Sequence, residues 1–120
     1  MQRLLLICAG LVGAVGVASA AAASHQAEAR NMIALAAICL SHGPALLAIG
    51  LAGATRPVRM AGVLMAIGTI IFGADIALRQ WGGHALFPGA APFGGGAMIL
   101  SWLGLALCGA FAPMQKFKID

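Results

Sequence analysis

Four stretches of about 20 apolar residues follow one another along this 120-residue chain, each long enough to cross a bilayer core of about 30 Å at 1.5 Å per residue. The first runs from about Leu4 to Ala23 without a charge. The second runs from about Met32 to Ala54 and carries Ser41, His42 and Pro44. The third runs from about Met60 to Leu78 with Asp75 inside it, and the fourth from about Gly95 to Phe111. The connectors Ser24–Asn31, Thr55–Arg59 and Arg79–Gly94 are too short for a soluble domain. Composition agrees: 62% of residues are hydrophobic and 8% charged, against roughly a quarter charged in soluble domains. The expected fold is therefore all-α, a single polytopic membrane domain (1–120) built as a four-transmembrane-helix bundle.

The basic residues assign the sides. Arg3, Arg56, Arg59, Lys116 and Lys118 fall on one side of an even number of spans, and Arg30 and Arg79 on the other. The positive-inside rule then puts both termini in the cytoplasm. The net charge of +4 is accounted for by cations at span ends. These serve as topology anchors and contacts for membrane lipids, so no nucleic-acid partner is expected. Met1–Arg3, Leu4–Val17 and Ala18-Ser19-Ala20 also have the layout of a secretory signal. The span is expected to be retained, because its removal would leave three spans and put the lysines of the tail opposite the former side of Arg3.

Small residues supply the packing logic. Lipid tails are as apolar as leucine, so helices in a membrane associate through close backbone approach and a few hydrogen bonds. Ala9, Gly13, Gly16 and Ala20 recur at helical spacing in the first span, and Gly62, Ala66, Thr69 and Gly73 in the third. The one long connector holds Trp81, His84 and Phe87, residues suited to a membrane interface, and its Pro88 and Pro92 are expected to exclude a regular helix there.

Ionisable groups at bilayer depth are costly and usually face protein. Asp75 lies four residues before Arg79, the acid-first spacing of an intrahelical ion pair. His42 lies near mid-span, roughly 6 Å in depth from Asp75 by residue count. With His25 and Ser101, the residues His42, Asp75 and Arg79 are expected to form a polar patch in the outer half, the candidate binding site. Trp81, His84 and Phe87 form a candidate interface beside it. Cys8, Cys39 and Cys108 lie within spans as small apolar side chains. No recurring metal-ligand spacing and no nucleotide-binding or nucleophile motif is present, so no catalytic residue, metal or cofactor is assigned and the chain is read as non-enzymatic.

Several short runs occur in a characteristic order: a glycine-rich first span ending near His25, then His42-Gly-Pro-Ala-Leu-Leu47, Gly68-Thr-Ile-Ile-Phe-Gly73, and Ala91-Pro-Phe-Gly-Gly95 followed by Trp102. In these the chain resembles, from about Leu4 to Pro113, the small bacterial four-helix membrane family known as domain of unknown function 423. The resemblance implies four spans in the bacterial cytoplasmic (inner) membrane and brings no catalytic assignment. The leading functional expectation is an accessory or structural subunit that packs against other membrane subunits or itself. The alternative is a small transporter or channel that uses His42, Asp75 and Arg79.

Overall fold

The computed structural model describes residues 1–111 and 113. It contains four helices: α1 (Gln2–Ala23), α2 (Arg30–Leu51), α3 (Arg56–Trp81) and α4 (Ala90–Phe111). Each is long and apolar enough to cross a membrane, and the protein is a small multi-pass membrane protein. Lys116 and Lys118 lie outside the described residues. The loops 24–29 and 82–89 occupy one end of the bundle, here the loop end. The amino terminus, the α2–α3 turn and the end of α4 occupy the other, the terminal end.

Local chemistry sets the boundaries. Helix α2 stops at Leu51, three residues before the expected end, because Gly53 adopts φ +60°, a left-handed conformation that closes helices and suits glycine. Extended Thr55 and Pro57 then open α3, where a missing N–H in the first turn costs no hydrogen bond. The long connector is shorter than expected. Helix α3 continues to Trp81, and α4 begins at Ala90 rather than Gly95. Pro92 is tolerated as the third residue of α4, since the first α-helical bond there is from the N–H of Phe93 to the carbonyl of Gly89, at 3.0 Å. The fourth span is thus as long as the first two, 22 residues each. Helix α2 is continuous through Pro44.

The helices form an open row rather than a closed square. Helix α1 packs on α2, α2 on α3 and α3 on α4, with a minor α1–α3 contact. No Cα of α4 comes within 8 Å of one in α1 or α2 at a separation that would pack them together. The core lies among α1, α2 and α3, where Leu5, Met32, Leu46 and Met65 are fully buried and Ala9, Val12, Leu35, Cys39 and Ala66 fill the gaps. Small residues set the spacing. A Cβ on Gly16 would lie 2.8 Å from Leu40 Cγ, and one on Gly43 would lie 3.2 Å from the backbone nitrogen of Gly13. The α3–α4 seam is tighter still. A Cβ on Gly68 would come 2.8 Å from the Gly94 carbonyl oxygen, and one on Gly94 would come 2.8 Å from the Gly68 carbonyl oxygen. The two backbones touch at a reciprocal pair of glycines, the close approach that holds membrane helices together.

Candidate functional site

The polar side chains of the spans gather at two places. The first is mid-bundle. His42 on α2 is buried, and the residue preceding it, Ser41, turns its hydroxyl back onto its own helix, donating to the carbonyl of Ala37 at 2.8 Å. Trp102 on α4 donates its indole Nε1–H to His42 Nε2 at 3.1 Å. An indole N–H can only donate, so Nε2 is the acceptor and the ring proton sits on Nδ1. Nδ1 then donates to the carbonyl of Ile38 at 2.8 Å, with the Ser41 hydroxyl 3.0 Å away. The two rings meet edge to face, with centroids 5.9 Å apart and planes at 73°. A neutral histidine with both nitrogens occupied is how an imidazole sits in hydrocarbon without an orphaned polar atom.

The second place is the loop end. Asp75 on α3 has no exposed surface. Its Oδ2 accepts from Arg79 Nε at 2.8 Å, the expected ion pair one helical turn on. Its Oδ1 accepts from the backbone N–H of Leu86 at 2.9 Å. One carboxylate therefore neutralises a cation and pins the 82–89 loop to the helix it follows. Nearby, Gln80 Nε2 donates to Gln26 Oε1 at 3.0 Å and ties the two loops of this end together.

The expected patch is divided between these places. Arg79 joins Asp75, but no hydrogen bond joins His42 to Asp75. Counted from the loop end, His42 is 42 − 30 = 12 residues into α2 and Asp75 is 81 − 75 = 6 residues into α3, a depth difference of about 9 Å. Ser101 is buried and spends its hydroxyl on the carbonyl of Ala97 at 2.9 Å, and Thr69 does the same with Met65 at 2.8 Å. His25 is exposed on the α1–α2 loop. Trp81, His84 and Phe87 are exposed around the 82–89 loop, where His84 Nδ1 lies 2.9 Å from the carbonyl oxygen of Ala85. Among the described residues, every buried side-chain nitrogen and oxygen has a hydrogen-bond partner.

Sequence reasoning missed three partners: Trp102 for His42, the Leu86 amide for Asp75, and Gln26 for Gln80. The depth of Trp102 was legible in principle. It lies 102 − 90 = 12 residues into α4, the same offset as His42 in α2, and the two helices run in the same direction. An α4 begun at Gly95 hides that equality.

With the fold and these contacts in view, the profile of the family described as protein of unknown function (DUF423) matches residues 9–95. The chain belongs to the DUF423 family. The DUF423 match takes in His42, Asp75, Arg79, Leu86 and both glycines of the α3–α4 seam, and ends before Ser101 and Trp102. No curated protein and no solved structure matches the chain.

Proposed function

We propose that this DUF423 protein is a non-enzymatic accessory or structural subunit of the bacterial cytoplasmic membrane, with both termini in the cytoplasm. It docks through α1 onto other membrane subunits or onto a second copy. One observation carries this reading. Gly10, Ala14, Ala18 and Ala21 form an exposed small-residue stripe on the face of α1 turned away from Leu5, Ala9, Val12 and Gly16. A Cβ on Gly10 would meet nothing within 4 Å. Small residues on a membrane helix let a neighbouring backbone come close, and α1 ends the row with that face unused. The satisfied polar groups support the same reading. His42 and Asp75 spend their polar atoms inside the chain, which favours a packing role over chemistry or transport.

Gentle detergent extraction followed by mass measurement in solution tests the proposal. A particle heavier than the 12.0 kDa chain, reduced to that mass by Gly10→Leu with Ala14→Leu, is the expected result. A lone monomer from native membrane with no co-purifying subunit would overturn it. The alternative of a small transporter or channel rests on Asp75 lying at bilayer depth. It requires that Asp75→Asn abolish flux in reconstituted vesicles while the fold stays intact.

A further inference from the structure

We infer that the α3–α4 seam is a site for one anionic phospholipid, which lays an acyl chain between the two helices and sets its phosphate beside Arg56. On the side of the seam away from Trp102 runs an apolar slot of about 590 Å³. Its floor is Ala61 and Gly104, where a Cβ built on Gly104 would stand 3.9 Å from that of Ala61. Its rims are Met60, Leu64, Leu100 and Leu107, all exposed. An open groove rimmed by long aliphatic side chains fits a single hydrocarbon chain. From Pro57 to Leu64 the slot runs about 10 Å along α3, most of the depth of one leaflet of a core about 30 Å thick.

Charge identifies the headgroup. The slot opens at the terminal end beside Pro57, next to Arg56, the first residue of α3. Arg56 is exposed and has no acidic partner among the described residues, whose ion pair is Arg79 with Asp75. The first turn of α3 contains no acidic residue, and Thr55 makes no side-chain cap. A guanidinium at the positive end of an uncapped helix is an unfavourable arrangement that a phosphate relieves. The second arginine of this turn, Arg59, faces elsewhere, lining a crevice with Gln2, Leu5 and Gly50 between α1 and α2. Because the acyl chain leaves one hydrocarbon environment for another, burial gives it little preference, and selectivity must come from the headgroup.

The test is native mass spectrometry of the full chain in detergent, titrated with phosphatidylglycerol or with phosphatidylcholine of the same acyl chains. Wild type is expected to retain one phosphatidylglycerol about fivefold more tightly than phosphatidylcholine, the worth of one arginine at a membrane surface. Arg56→Gln should remove that preference, and Arg59→Gln, with the same loss of charge, should keep it. Gly104→Leu should fill the slot and weaken retention of both lipids. Three results would overturn the proposal: equal retention of the two lipids by wild type, equal effects of the two arginine substitutions, or a lipid-independent dimer that Gly104→Leu dissociates.

Discussion

Trp102 and His42 are bonded at 3.1 Å across two helices, α4 and α2, whose backbones do not pack against each other. The indole bridges a gap that α3 leaves open. This bond is the polar tie between the outermost helix of the row and the three-helix core, and it fixes which imidazole nitrogen carries the proton. In a membrane such a bond is worth on average less than about 1 kcal/mol, since the unfolded helices also find partners. A double-mutant cycle of Trp102→Phe and His42→Ala, read by detergent-induced unfolding, should therefore give a coupling of about 0.5–1.5 kcal/mol. Additive effects would show that the two side chains are neighbours without interacting.

Asp75 does two jobs, and substitutions separate them. Asp75→Asn keeps a carbonyl oxygen that can accept from the Leu86 N–H, whereas Asp75→Ala keeps none. Amide hydrogen exchange at Leu86 should rise sharply in Asp75→Ala and little in Asp75→Asn. Arg79→Gln should leave Leu86 protected, because the arginine bonds the other oxygen. Equal exchange in all three variants would mean that the loop is held by something other than this carboxylate.

The glycines of the α3–α4 seam are not interchangeable with those beside them. A methyl on Gly94 would lie 2.8 Å from the carbonyl oxygen of Gly68 and from the backbone nitrogen of Phe72, neither of which can give way alone. Gly94→Ala should lower unfolding stability by about 1–3 kcal/mol, as overpacking does. The next residue along, Gly95, has nothing within 4 Å of its Cβ position. Gly95→Ala should leave stability unchanged or raise it by up to about 1 kcal/mol through helix propensity. Equal losses from both would point to a general intolerance of side chains in α4 rather than to the seam.

These contacts show how far a sequence of this kind can be read. The number of spans was plain, because a bilayer imposes a length and hydropathy that four stretches meet and nothing else does. The Asp75–Arg79 pair was plain too, being local and set by helical periodicity. Span ends were less legible. Pro92 reads as a loop residue until it is seen in the first turn of α4, where its missing N–H is harmless. That error shortened α4 by five residues (95 − 90) and hid the shared depth of Trp102 and His42. The Leu86 and Gln26 contacts were out of reach, because a backbone amide has no signature in sequence and helix-row topology decides which loops meet. The packed faces were partly visible. Ala9 and Gly16 do lie buried on α1, and Gly62, Ala66 and Thr69 on α3, while Ala20 is exposed.

The account stands on four crossings of a membrane, and cysteine mapping in intact cells tests this most directly. In a background lacking Cys8, Cys39 and Cys108, single cysteines at Gln2, Ser24, Gly53 and Gly83 would be probed with a membrane-impermeant thiol reagent. Ser24 and Gly83 should label from outside, and Gln2 and Gly53 only after the membrane is opened. Labelling of Ser24 and Gly83 on opposite faces, or of Gln2 and Gly53 on opposite faces, would contradict the four-span arrangement.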